Sequence, residues 1–136
     1  MKVLFPSIIN ENLIEFPPHA TWRERYKAYE QEGIDRNPFV KHLHKHGIEH
    51  KQYWVNYEAA QKDWAKEHRV EYGKSSWYLD IMAAQIKEYQ PDVVFNTTLC
   101  VIPYNFINRL KKVLPKPCLW ICYYGVPRVG EFFEFK

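Results

Sequence analysis

The sequence has 136 residues, of which 46% are hydrophobic and 26% are charged. This length suits one compact domain, and the composition excludes an intrinsically disordered chain. The net charge of +3 is small and is spread along the chain, so we expect no nucleic-acid partner. The amino-acid usage therefore predicts a single globular domain over residues 1–136.

No segment of the sequence has the length of a membrane-spanning helix. The longest apolar stretch, Leu119 to Val126, has eight residues, whereas a helix needs about 20 to cross a bilayer. The apolar start, Met1 to Ile9, is interrupted by Pro6 and lacks a small-residue cleavage site, so it does not resemble a secretory signal. Because the three cysteines also lack C-x-x-C spacing, we expect a cytoplasmic protein with free thiols and no membrane span.

The chain opens with a short apolar strand. The run from Lys2 to Ile9 begins as the continuous apolar stretch that is typical of a strand buried on both faces of a parallel sheet, and Pro6 is expected to end it. Residues 10–20 contain two adjacent prolines and show no periodicity. We therefore expect a loop at the carboxyl end of the first strand.

Two helices are predicted after this loop. Thr21 and Glu24 form a T-x-x-E capping box, and aromatic residues then recur at helical spacing until Gly33. Pro38 at a first helical position opens a second helix, which Gly47 is expected to end in a left-handed conformation. The connection between the first and second strands is therefore expected to be mainly helical.

A second strand and two more helices come next. Ile48 to Val55 alternates loosely between apolar and polar residues, which predicts a strand less buried than the first. Asn56 is expected to cap a helix over Tyr57 to His68. The clearest amphipathic helix begins at residue 75 or 76 and runs to Tyr89.

The last elements repeat the order of strand and helix. Val93 to Phe95 is a short buried strand, Pro103 opens a helix, and Cys118 to Tyr124 is a fourth apolar strand. Strands separated by helices require right-handed crossovers, which place helices on both faces of a parallel sheet. The predicted fold is therefore α/β, with a doubly wound, mostly parallel Rossmann-like sheet of four or slightly more strands.

One motif match fails on its structural context, and two other motifs are absent or incomplete. His46 to His50 spells H-x-x-E-H, a zinc motif that needs one continuous helix, but Gly47 is a predicted helix end. Neither a G-x-G-x-x-G turn nor a complete P-loop is present. We therefore expect no metal site and no bound cofactor.

Polar side chains follow the predicted strands at their carboxyl ends. In a doubly wound sheet, ligands bind at this edge, near the point where the strand order reverses. Hydroxyl, amide, carboxylate and aromatic groups gathered there suit the recognition of a sugar or another polyol. The alternative is that the Thr and Asn side chains only cap the helices that follow. The candidate substrate-binding residues are Ser7, Asn10, Glu11, Thr97, Thr98, Tyr123, Tyr124 and Arg128.

Several longer stretches resemble one family of enzymes. The N-terminal region of bacterial glycosyltransferases of the spore-maturation-protein-like group is similar to N-P-F-V-K-H-L-H-K-H-G-I-E at residues 37–49 and to V-N-Y-E-A-A-Q-K-D-W-A-K-E-H at residues 55–68. The similarity continues in W-Y-L-D-I-M-A-A-Q-I-K-E-Y-Q-P-D-V-V-F at residues 77–95, and then in residues 103–114 and 118–127. The resemblance therefore covers most of the chain.

The resemblance implies a GT-B architecture, in which two Rossmann-like domains face each other across a cleft. This chain would be the N-terminal domain, which holds the sugar acceptor, while a separate C-terminal domain would bind the nucleotide-sugar donor. The lack of a D-x-D triplet fits a transferase that works without a metal ion. Glu11 and His19 are candidate catalytic residues by their position alone.

A second interpretation belongs to another functional class. In it the chain is a non-catalytic, transferase-like α/β module that pairs with itself or with another protein through an open sheet edge or through apolar residues near position 136. Three apolar residues near position 136 suggest this interpretation, because exposed aromatic side chains are normally packed against another surface. These residues are Phe132, Phe133 and Phe135. This interpretation predicts a homodimer or a complex with a protein partner.

Overall fold

The computed structural model describes residues 1–7, 16–36, 38–96 and 102–122, except for the side chains of residues 32–36. Strands and helices alternate along these segments. The strands are β1 (Lys2–Ser7), β2 (Glu49–Trp54), β3 (Val93–Asn96) and β4 (Leu119–Cys122). The helices are α1 (Trp22–Arg36), α2 (Pro38–Lys45), α3 (Glu58–Glu67), α4 (Trp77–Tyr89) and α5 (Tyr104–Val113).

The four strands form one parallel sheet in the order β2-β1-β3-β4. β1 pairs with β2 along its whole length and with β3 at Val3 and Leu4. β4 pairs with β3 and is the outermost described strand on that side. The chain thus has the doubly wound, Rossmann-like α/β fold that the sequence predicts.

Helices cover β1 on both faces. Leu4 lies on one face, in a cluster with Ile86 of α4 and Leu110 of α5. Phe5 lies on the other face, in a cluster with Val40 of α2. The chain moves one way from β1 to β2 and the opposite way from β2 to β3, so right-handed crossovers place the connecting helices on opposite faces. The apolar surface buried on both sides supplies the main favourable term of folding.

β1 extends past Pro6, where the sequence predicted its end. In a parallel strand, alternate residues direct their backbone groups to opposite neighbours. The Ser7 carbonyl accepts from the Val55 N–H on the β2 side at 2.9 Å, whereas the Lys2 carbonyl accepts from the Asp92 N–H on the β3 side. Pro6 therefore faces β3, and the described pairing with that strand ends two residues earlier. Its missing N–H costs no bond in the sheet, so the strand continues to Ser7.

The predicted capping box begins α1. The Thr21 N–H donates to Glu24 Oε2 at 2.8 Å, and the Glu24 N–H donates to Thr21 Oγ1 at 3.3 Å. The bond from the Thr21 N–H is the largest cause of a lowered pKa of the Glu24 carboxyl. The predicted helix end at Gly33 is wrong, because α1 continues to Arg36. One glycine inside a helix costs only about 1 kcal/mol, which the packing of the remaining turns can offset.

α2 is closed by Gly47, as predicted, with a φ angle of 63° in the left-handed region. The Gly47 N–H donates to the His44 carbonyl and the Ile48 N–H donates to the Leu43 carbonyl, both at 3.0 Å. This pattern is a Schellman motif, and Ile48 and Leu43 belong to the same apolar cluster. The break separates the two ends of the H-x-x-E-H sequence, so its histidines do not share one helix.

The N-cap position of α3 is not Asn56, contrary to the sequence prediction. Tyr57 occupies the N-cap position and makes no side-chain capping bond. Its N–H donates to the Trp54 carbonyl at 3.1 Å, which forms a tight turn between β2 and α3. The next helix, α4, begins after Ser76 and ends at Tyr89, as predicted.

Asp92 joins the start of the chain to the segment that leads into β4. Its Oδ2 accepts from the Lys2 N–H and its Oδ1 accepts from the Lys116 ammonium, both at 2.7 Å. The Lys116 bond, followed by the Lys2 bond, holds the pKa of the Asp92 carboxyl below its usual value. The ionised carboxylate therefore clamps β1, β3 and the approach to β4 together.

We expect Asp92→Asn to lower the melting temperature at neutral pH, because an amide cannot replace two charge-assisted bonds. The pKa of Asp92 is lower in the folded chain, so the stabilisation is complete above the unfolded value and is lost as the pH falls through the folded value. The difference between the two proteins should therefore shrink below about pH 4. Thermal unfolding followed by circular dichroism measures this difference.

The matched control for this prediction is Asp63→Asn. Asp63 is exposed and has no hydrogen bond or ion pair through its side chain in the described ranges. We expect this variant to melt like the parent chain at every pH. An equal loss of stability in the two variants contradicts the clamp.

Candidate functional site

The reversal of strand order lies between β1 and β3. The chain leaves β1 toward β2 and later leaves β3 toward β4, in the opposite direction. In doubly wound sheets the connections diverge at such a point and leave a crevice at the carboxyl ends of the two strands, where ligands bind. The residues at the carboxyl ends of the four strands, named here the carboxyl edge, are Ser7, Trp54, Asn96 and Cys122. Ser7 and Asn96 border the reversal.

Neutral polar groups occupy the β3 and β4 side of the carboxyl edge. Asn96 is fully buried and lies opposite Cys122 in the sheet register. Burial raises the pKa of the Cys122 thiol, while a hydrogen bond with Asn96 and the charge of Lys111 act in the other direction. The thiol therefore stays protonated at neutral pH and is not an activated nucleophile. The described strand-end residues on this side, Asn96 and Cys122, can form hydrogen bonds without carrying charge.

The end of β2 presents a second set of buried polar atoms. Trp54 is 8% exposed, and its carbonyl accepts from Gln61 Nε2 at 3.0 Å. Gln61 is itself only 2% exposed. Within the described residues, Trp54 Nε1 and Gln61 Oε1 have no hydrogen-bond partner. A buried donor and a buried acceptor without partners are costly, so a water molecule or another polar group that bonds to them would stabilise this side of the carboxyl edge.

α1 covers the open side of β2 and forms a wall beside the carboxyl edge. The Tyr26 hydroxyl donates to the Gln52 carbonyl, which satisfies one acceptor of this outer strand. Burial raises the pKa of Tyr26 well above its ordinary value, so the phenol remains a donor. Tyr29 packs edge-to-face on Trp54, with ring centroids 6.0 Å apart. α1 thereby holds aromatic rings next to the end of β2.

The structure describes two of the residues that the sequence selected. Ser7 is partly buried at the carboxyl edge. His19 is exposed in the turn before α1, where its charge helps to lower the pKa of Glu24, and no hydrogen bond or ion pair joins it to Ser7 in the described chain. The predicted site residues that lie outside the described ranges are Asn10, Glu11, Thr97, Thr98, Tyr123, Tyr124 and Arg128.

Sequence reasoning did not select Trp54 or Gln61. The sequence contains a signal for Gln61, because it is a polar residue within the buried stripe of α3, next to Ala60 and one turn before Ala65. A tryptophan in a strand carries no such signal, since aromatic residues in strands usually fill the core. The unpartnered indole N–H becomes apparent only once the neighbours of Trp54 are placed.

Substitutions at Gln61 test how closed the β2 side of the carboxyl edge is. Gln61→Met removes the unpartnered Oε1 and also the bond from Nε2 to the Trp54 carbonyl, which still accepts from the Tyr57 N–H. The two losses oppose each other, so we expect the free energy of unfolding to change by less than about 1 kcal/mol. Gln61→Glu places a carboxylate at a position that is 2% exposed, and we expect a loss of about 3 kcal/mol at neutral pH. Burial raises the pKa of that carboxyl, so the loss should shrink as the pH falls below the raised value. Urea unfolding measures the free energy of unfolding of both variants. If Gln61→Glu is as stable as Gln61→Met at neutral pH, this side of the carboxyl edge is not closed to water.

Three further findings concern metal binding, membrane insertion and similarity to known proteins. Among the described residues, no group of three or more His, Cys, Asp or Glu side chains is placed to hold a metal ion. No helix in the described ranges combines the length and apolar character that crossing a bilayer requires. Comparison with protein-family models, with curated proteins and with solved structures finds no match to this chain.

Proposed function

We propose that this chain is the acceptor-side domain of a glycosyltransferase with the GT-B architecture, and that it works in the cytoplasm. The observation that carries the proposal is the parallel order β2-β1-β3-β4, whose reversal sets Ser7 and Asn96 at one carboxyl edge. The resemblance of residues 37–49 and 55–68 to one group of bacterial glycosyltransferases supports it. In this division of labour, a separate C-terminal domain binds the nucleotide sugar.

The chemistry of the carboxyl edge supports a positioning role. Ser7, Asn96 and Cys122 carry hydroxyl, amide and thiol groups, which can hydrogen-bond an acceptor hydroxyl but are not bases at neutral pH. Holding the acceptor in place lowers the barrier, because translational and rotational freedom is lost before the reaction. The donor domain then stabilises the departing diphosphate. The chain alone binds a sugar acceptor and transfers nothing.

The division of labour predicts that the chain alone has no tight site for a nucleotide sugar. Isothermal titration with UDP, GDP, UDP-glucose and GDP-mannose measures this, and submicromolar binding of any of them contradicts the proposal. Sequencing of the DNA that adjoins the codon for Lys136 can support the proposal, because we expect that DNA to encode a second α/β domain. The same titration on a mixture of the two domains should show donor binding. Adjoining DNA without such a domain counts against the proposal.

Self-association without catalysis is the second candidate function. Leu119 and Ile121 of β4 are 60% and 40% exposed. They share one face of the sheet with Phe95, whose ring stacks on that of the exposed Phe39 at a centroid distance of 4.7 Å. An apolar face beside an outer strand suits a two-fold contact in which two copies of β4 pair.

Light scattering on the purified chain separates the two candidates. A dimer that becomes monomeric in the double variant Leu119→Lys, Ile121→Lys supports self-association through β4. A monomer in both forms supports the acceptor-side domain. The matched control is Val113→Lys, because Val113 is 58% exposed and lies on α5 rather than on β4. A dimer that this control also dissociates contradicts the β4 contact.

A further inference from the structure

A groove lies between the first turn of α1 and the second half of α3. Its volume is about 570 Å³, which is within the range of small-molecule sites. The residues that line it are Thr21, Trp22, Arg23, Asp63, Lys66 and Glu67. They are all distinct from the residues of the carboxyl edge, so the groove is a separate site.

One carboxylate holds the two walls of the groove together. Glu67 Oε1 accepts from Trp22 Nε1 at 3.0 Å, and Glu67 Oε2 accepts from Arg23 Nη2 at 2.7 Å. The Trp22 bond is the largest cause of a lowered pKa of Glu67, and Arg23 adds to it. Glu67 therefore stays anionic and fixes the Trp22 indole of α1 against α3, whereas its ion pair with Arg23 is exposed to water.

Two charged side chains of the groove remain available to a ligand. Asp63 and Lys66 are exposed on α3, and neither side chain has an ion pair or hydrogen bond within the described residues. Together with Arg23 and Glu67, the lining contains two cations and two anions. A lining without net charge has no electrostatic preference for a phosphate, a nucleotide or a polycation. The ligand must instead be recognised by hydrogen bonds and by contact with the indole.

We propose that this groove binds a neutral saccharide. A sugar ring combines apolar C–H faces with hydroxyl groups, and it therefore suits an aromatic ring flanked by hydrogen-bonding groups. Asp63 and Glu67 accept from the hydroxyls, and Lys66 donates to them. The Arg23 guanidinium lies 5.5 Å from the centre of the half-buried Trp22 ring. Because the Arg23 side chain is 71% exposed, a sugar displaces it from the ring at little cost.

The groove lies beside the β2 end of the carboxyl edge. Trp22 packs against the aromatic cluster that contains Trp54, the last residue of β2. The groove therefore holds the distal part of an acceptor whose reacting hydroxyl lies at the carboxyl edge. The assignment of this saccharide as the acceptor rests on the proposed function. The assignment of the ligand as a saccharide rests on the groove lining alone.

Nuclear magnetic resonance of the full chain tests the inference through its indole N–H signals. The chain has five tryptophans, and Trp22→Phe identifies the signal of Trp22 by its loss. We expect at least one of maltotriose, chitotriose and mannotriose, at millimolar concentration, to shift this signal, because the sugar contacts the indole bonded to Glu67. Asp63→Ala should raise the fitted dissociation constant about tenfold, since one charge-assisted bond is lost.

Two control variants test whether the shift of the Trp22 signal and the weaker binding of Asp63→Ala are specific to the groove. Trp77→Phe identifies the signal of a half-buried tryptophan outside the groove, which the trisaccharides should leave unchanged. Glu71→Ala is the control for Asp63→Ala, because Glu71 is an exposed acid outside the groove. Its variant should bind the trisaccharide like the parent chain. Equal weakening in the two alanine variants contradicts a role for Asp63.

The outcomes separate failure of the groove from failure of the proposed function. A Trp22 signal that none of the three trisaccharides moves overturns the inference, as does one that moves only with UDP or inorganic phosphate. If the trisaccharides shift the backbone signals of Ser7 and Asn96 but not the Trp22 signal, the groove is rejected and the proposed function stands. A Trp22 shift together with submicromolar binding of a nucleotide sugar supports the groove and rejects the proposed function.

Discussion

β1 is hydrogen-bonded to β2 on one side and to β3 on the other, and its four central residues are buried. A strand in this position needs apolar cover on both faces, because each Å² of apolar surface left in water forgoes about 25 cal/mol. The helices of two successive crossovers supply this cover from opposite sides, which requires the strand order to reverse between β1 and β3. The reversal of strand order beside Ser7 is therefore a consequence of the same pairing that builds the core.

Features that depend on a few neighbouring residues could be predicted from the sequence. The capping box at Thr21 and the left-handed Gly47 are local, and the alternation of strands and helices predicts a parallel sheet. Element ends could not be predicted where a distant backbone bond decides them. Pro6 stays in β1 because it faces away from β2. Asn56 lies in the turn that the Tyr57 N–H closes on the end of β2, so that the N-cap position falls on Tyr57. Strand order is likewise a tertiary property, since alternation does not say that β3 lies beside β1.

The sequence predicts only those residues of the candidate site that directly follow a recognisable strand. A polar residue after an apolar strand, such as Ser7, is visible in the sequence, and parallel strands bring all such residues to one edge. Trp54 and Gln61 are different, because their unpartnered atoms arise when α3 folds against the end of β2. No sequence pattern predicts the groove. Trp22 and Glu67 are 45 positions apart and meet only because α1 packs on α3.

The shape of the groove depends on how α1 is attached to its neighbours. Three aromatic residues on one side of α1 make the attachments: Trp22 bonds to Glu67 of α3, Tyr26 bonds to the Gln52 carbonyl of β2, and Tyr29 packs on Trp54. A rotation of α1 that widens or closes the groove must break at least one of these contacts, because all three lie on the same helix face. The groove is therefore formed before a ligand arrives, and a preformed site loses less conformational entropy on binding. The saccharide proposed for the space between α1 and α3 would therefore meet a wall that is fixed to the sheet, which is what the proposed role of holding one end of an acceptor requires.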